Sequence, residues 1–168
     1  MTDRQLIVPD EMRLLAERAG YAPAVKVGKT LYCAGQVGRN HDLTVIEEPE
    51  QQFMAAWENL RLVLAAGGCT FEDVVDLTTY HIDLHRHMPV FRAVKDSVFP
   101  RDTCAWTCLG VSDLAKPGLL VKSNASRCSA DHEGSALRGT RKAKGLGQRR
   151  LTRRVFRHVS LAIRLNAR

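Results

Sequence analysis

Between Ala24 and Val121 the apolar positions of this 168-residue chain follow two alternating periods, and past Val121 both periods stop. Ala24 to Val27 and Thr30 to Ala34 are two short β-prone runs around Gly28-Lys29, the pattern of a hairpin. From about Glu50 to Ala66, Phe53, Ala56, Trp57, Leu60, Val63 and Leu64 recur at spacings of three and four, which predicts a helix with one buried face. Gly67-Gly68 ends it. Val74 to Ile82 alternates β-branched and aromatic residues with polar ones and predicts a strand. A second helix is expected from about Met88 to Val98, stopped by Pro100, followed by strands over Thr103 to Val111 and from Leu119. The order ββαβαββ predicts an α+β fold, a mixed β-sheet with two helices on one face.

The charge changes at the same point as the pattern. Residues 1–121 hold 12 Lys/Arg against 16 Asp/Glu, whereas 122–168 hold 13 against 2. The net charge of +7 is an average over two unlike parts and does not describe one basic nucleic-acid-binding domain. We therefore divide the chain into an N-terminal extension (1–19), a patterned domain (20–121) and a basic tail (122–168), expected to be disordered. Met1 to Met12 has scattered charge and no apolar run of signal-peptide or membrane-span length, so a cytoplasmic protein without a membrane association is expected. Five cysteines without a CxxC pair fit reduced thiols better than a disulfide framework.

Few constellations point to chemistry by themselves. His81, Asp83, His85 and His87 are spaced as metal ligands could be, but they cross a strand end, and no metal is assigned. Gly35-x-x-Gly38 lacks the strand-loop-helix context of a phosphate loop and reads as a turn. Cys104, Trp106 and Cys108 share one strand face by the two-residue period. Nothing calls for a cofactor.

Five segments, taken in order and spacing, carry a resemblance: Tyr21-Ala-Pro-Ala-Val, Leu31-Tyr-Cys-Ala-Gly-Gln36, Asn59 to Gly68, Asp73-Val-Val through Ile82-Asp-Leu84, and Pro117-Gly-Leu-Leu-Val121. Together they resemble the RidA/YjgF family of reactive-intermediate deaminases, also labelled endoribonuclease L-PSP. The resemblance implies a chorismate-mutase-like fold and a homotrimer with clefts between subunits that take small molecules. It also implies hydrolysis of 2-imino acids to 2-oxo acids and ammonia. That chemistry needs a guanidinium fork for the substrate carboxylate and a group that polarises water at the imine carbon.

The chain departs from the family pattern where this chemistry would be done. Alignment on Cys108 puts Trp106 at the position of the carboxylate-binding Arg, and Lys122 at that of the Glu. Ala34 replaces a Ser, and Phe91 stands where a cleft Asn is common. Tyr21 and Cys108 keep the family residue and are the candidate catalytic groups, although Tyr21 could equally be a buried Tyr with a satisfied hydroxyl. Ala34, Gly35, Phe91, Trp106 and Lys122 are the candidate substrate-binding positions. A divergent imine or enamine hydrolase and a non-catalytic, ligand-binding or regulatory trimer with Trp106 as an apolar floor are both expected readings. RNA binding or cleavage is the third, because no aromatic stacking platform accompanies the charge.

At Val121 the family resemblance implies a strand like Val-Glu-Ile-x-x-Ile-Ala-Val, but the chain reads Val121-Lys-Ser-Asn-Ala-Ser-Arg-Cys128, too polar for a strand facing a core. With permitted codon choices, one base inserted after the Val121 codon turns these residues into Val-Glu-Ile-Lys-Cys-Ile-Ala-Val. A shifted reading frame after Val121 is therefore expected. The alternative is a selected basic helix, with Leu151, Val155, Val159 and Leu165 beside Arg149, Arg150, Arg153, Arg154 and Arg157.

Overall fold

The computed structural model describes residues 3–99 and 104–129. Seven strands form one mixed sheet: β1 (Arg4–Ile7), β2 (Ala24–Val27), β3 (Thr30–Cys33), β4 (Gln36–Val37), β5 (Val74–His81), β6 (Ala105–Gly110) and β7 (Val121–Ser129). Their order is β1-β2-β3-β7-β5-β6, with β4 also pairing β7. Among the described strands only β5 and β6 run parallel, joined by a crossover through α3 (Leu84–Val98). The described α-helices also include the longer α2 (Pro49–Ala66) and the short α1 (Arg13–Ala19).

The predicted helix period places the core. Phe53, Trp57, Leu60, Val63 and Leu64 of α2 are all buried, as are Phe91 and Val94 of α3. Phe53 and Phe91 meet edge to face with centroids 5.4 Å apart, and Trp57 lies 5.6 Å from Phe91 and 5.5 Å from Phe99. Burial of each such side chain contributes roughly 1.5–3 kcal/mol. Leu77, Thr79 and His81 of β5 and Val121, Ser123 and Ala125 of β7 form the covered side of the sheet. The residues between them, among them Tyr80, Lys122 and Asn124, face the other way.

Three expectations need correction. Residues 1–19 are not a bare extension: β1 pairs with β2, and Met12 and Leu15 are buried. These apolar stretches are too short to show a period. Helix α3 begins at Leu84, not near Met88, and runs through Pro89; His87 N–H reaches Asp83 O at 3.2 Å. Most directly, the tail does not begin at Lys122, because residues 121–129 form β7 in the middle of the sheet. Main-chain pairing with β3 and β4 on one side and β5 on the other holds this strand, and Ser126 Oγ adds a hydrogen bond to Asp76 Oδ2 of β5 at 2.7 Å. Its covered positions beyond Val121 are small, Ser123 and Ala125, so they fit under the helices. The helix considered around Leu151 to Leu165 lies outside the described residues.

Candidate functional site

The candidate residues fall into two groups on opposite faces of the sheet. The first surrounds an open cleft of about 590 Å³, lined in part by Tyr21, Gly35, Tyr80, Lys122 and Asn124. Tyr21, just after α1, is 42% exposed, which places it at the cleft surface and not in the core. Lys122 lies across Gly35 so closely that a methyl group on that glycine would collide with the lysine side chain. Ala34 is next to this group but uses its backbone inward: its N–H donates to Pro23 O at 2.8 Å, and its carbonyl accepts from Gln36 Nε2 at 2.9 Å.

Two buried amides of α2 hold the loops that shape the cleft. Gln52 Nε2 donates to Ile46 O at 2.6 Å and to Gly118 O at 2.9 Å, while Gln52 Oε1 accepts from Leu120 N–H at 2.6 Å. Asn59 Nδ2 donates to Val37 O at 2.9 Å and Arg39 O at 3.1 Å. The charged lining residues are Arg39, Lys116 and Lys122 against Asp113, so the cleft has a cationic balance suited to an anion. Asn124 Oδ1 is buried with no hydrogen-bond partner among the described residues.

The second group lies on the covered side, at the β6 edge. Trp106 Nε1–H donates to Thr79 Oγ1 at 2.9 Å, and the same oxygen is 2.9 Å from His81 Nε2. Phe91 packs edge-on to His81 with centroids 4.5 Å apart and lies 6.2 Å from Trp106. Burial, with His87 nearby, pushes the His81 imidazole down to about 4, so it is neutral at neutral pH. Cys108, two residues along from Trp106, shares its face by strand alternation and is partly exposed. Phe91, expected at a cleft, is instead fully buried in the aromatic core. Its neighbours are the rings of Phe53, Trp57, His81 and Trp106, and the phenyl group itself offers no polar atom to a ligand.

Some features were missed in the sequence. Tyr80 could have been found, because the two-residue period puts it opposite Thr79 and His81. Arg39, Lys116 and Asn124 carry no local signal, and Asn124 lay in a segment read as tail. The four-residue spread of His81, Asp83, His85 and His87 divides between β5 and α3, and among the described residues no three His, Cys, Asp or Glu side chains gather as a metal site. Cys33 and Cys69 are buried; burial, with Cys69 nearby, pushes the Cys33 thiol up to about 12 and leaves it unreactive. Among the described residues no helix is long and apolar enough to cross a membrane.

Comparison with known proteins identifies the family and the fold. The profile of the Endoribonuclease L-PSP family matches residues 12–123. The RutC family protein YjgH of Escherichia coli (strain K12) is 34% identical over 116 residues, covering 68% of this chain and 88% of that protein. A 2-iminobutanoate/2-iminopropanoate deaminase of Dermatophagoides farinae is 31% identical over 101 residues, 57% of this chain and 76% of the relative. A solved structure of protein YJGH superposes with a TM-score of 0.69 at 32% identity, covering 75% of this chain and 97% of that one. The family match thus ends two residues past the break in pattern. With its mixed sheet in chorismate-mutase-like topology and this extended similarity, the chain belongs to the Endoribonuclease L-PSP family, that of RidA and YjgF.

Proposed function

We propose that this chain forms a homotrimer that binds a small molecule, an imino acid or a related carboxylate, in clefts completed between subunits. The observation that carries this reading is the division of the candidate residues. Tyr21, Gly35 and Lys122 line the open-face cleft, whereas Trp106 and Cys108 belong to the covered face. One copy cannot bring both sets around one ligand, but neighbouring copies can. The open face also supports assembly. Leu6, Tyr32 and Leu109 are 60%, 46% and 45% exposed, and the strand register puts them on that face together with Tyr80. Among the described residues strand β6 pairs only with β5, leaving its other edge without a partner strand.

Hydrolysis of an imine is the second reading, favoured by similarity to a 2-iminobutanoate/2-iminopropanoate deaminase. In that reaction water adds to the C=N carbon, the C–N bond breaks, and ammonia leaves with a proton while a 2-oxo acid remains. Tyr21 and Cys108 are the groups we assign to substrate contact. Lys122 has no carboxylate with which to polarise water, so rates well below those of a carboxylate-bearing site are expected. Light scattering and calorimetric titration with 2-oxobutanoate, followed by ammonia release from 2-iminobutanoate, test both readings. A trimer that binds 2-oxobutanoate supports the proposal, and a monomer or a trimer without binding contradicts it.

A further inference from the structure

The β6 position that resembles an arginine site holds an indole, yet cationic groups stand directly over that indole. They come from helix α3. Arg92 and Lys95 are one turn apart and reach the same ring: Arg92 Cζ lies 6.0 Å from the Trp106 centroid and Lys95 Nζ lies 4.9 Å from it. The Trp106 N–H is committed to Thr79, which fixes the ring and leaves its π face as the surface on which the cations rest.

The two cations are not equivalent. Lys95 is largely buried, with 13% of its side chain exposed; its Nζ also lies 5.5 Å from the Phe99 ring and 3.9 Å from Asp96 Oδ1. Its charge is already shared between two rings and a carboxylate. Arg92 is exposed, and its guanidinium makes no hydrogen bond or ion pair among the described residues. A guanidinium over an aromatic ring keeps its N–H groups in its own plane, directed outward, where a bidentate acceptor can meet them. Lys95, over the same ring, adds to the local positive potential and favours an anion over a neutral ligand.

We propose that Arg92, seated on Trp106 and backed by Lys95, holds the carboxylate of the ligand at this half of the site. The guanidinium has moved from the strand to the helix, and the tryptophan that took the strand position serves as its platform. This assignment rests on the proposed inter-subunit site, and it names a specificity residue, not a group that acts on the reacting bond.

Calorimetric titration with 2-oxobutanoate, and with 2-butanone as its uncharged counterpart, tests the assignment. Arg92→Ala is expected to weaken 2-oxobutanoate binding about ten- to a hundredfold, the effect of a lost hydrogen-bonded charge. Arg92→Lys is expected to recover only part, because an ammonium lacks the fork. Added salt should weaken binding to the parent chain and have much less effect on Arg92→Ala. Since Arg92 is exposed, an unchanged melting temperature and assembly mass serve as the folding control. Unchanged 2-oxobutanoate affinity in Arg92→Ala overturns the assignment alone. Absence of 2-oxobutanoate binding by the parent chain, or equal binding of 2-butanone, overturns the carboxylate-site reading together with it.

Discussion

The two faces of the sheet differ in how far one copy of the chain can complete them. The covered face is closed by its own helices: Leu77, Phe53, Trp57 and Phe91 have essentially no exposure, and even the polar Thr79 is hydrogen-bonded to Trp106. The open face carries the cleft and three exposed apolar side chains, Leu6, Tyr32 and Leu109. Stability is therefore concentrated beneath the helices and the capacity for assembly on the open face, while the candidate binding residues are divided between the open-face cleft and the β6 edge of the covered side. Strand β7 belongs to both faces and suits neither well. Of the four buried side-chain atoms without a partner among the described residues, Ser123 Oγ and Asn124 Oδ1 come from consecutive residues of this one strand.

The contrast is tested most strongly by paired substitutions. Leu77→Ala empties a fully buried position and is expected to cost about 2–5 kcal/mol of unfolding free energy in denaturant titrations. Leu109→Ser, on the open face, should change the unfolding free energy by less than about 0.5 kcal/mol per separated chain while lowering the assembly mass. Equal effects from the two would erase the distinction between faces.

A pH titration sharpens it further. His81 ionises near 6.5 in an unfolded chain, and in the fold it is held down to about 4. The folded state thus resists a proton that the unfolded state accepts. Stability conferred by neutral His81 is full above about pH 6.5 and falls as the pH is lowered toward 4, by on the order of 2 kcal/mol. The slope should disappear in His81→Phe, as followed by denaturant midpoints across that range.

Smaller effects are expected along β7 and β6. Ser123→Val removes a buried hydroxyl with no partner among the described residues and should raise stability by about 1–2 kcal/mol. Replacing 122–128 with Glu-Ile-Lys-Cys-Ile-Ala-Val should raise it further if the segment is read in a shifted frame; a loss on thermal unfolding would count against that reading. Trp106→Phe removes the donor to Thr79 but keeps an aromatic ring, at a cost of about 1 kcal/mol in the same assay.

Much of the fold was legible because burial imposed a period. The stripe from Phe53 to Leu64 gave α2 within one residue of its start, and the alternation after Val74 gave β5 almost end to end. Strand β7 was not legible for the opposite reason. Its pairing on both edges comes from the main chain, and Lys122, Ser123 and Asn124 supply none of the alternation by which a strand is recognised. The candidate site was half legible. Tyr21, Gly35 and Lys122, named by resemblance, line one cleft, whereas Phe91, named in the same way, lies on the buried face of α3, a direction that the alignment alone does not give. Arg92 escaped notice because its relation to Trp106 depends on the β5-α3-β6 crossover, which brings residues 14 apart in sequence together.

The central claim is that the binding site is completed between copies, and mixing two defective chains tests it most directly. Gly35→Leu obstructs the cleft half and Arg92→Ala removes the guanidinium from the other half, so each alone should bind 2-oxobutanoate poorly. If the halves come from neighbouring subunits, unfolding the two variants together and refolding them as mixed assemblies will restore tight binding to a fraction of the sites. Mixed assemblies confirmed by native mass measurement but showing no recovered binding would contradict the account.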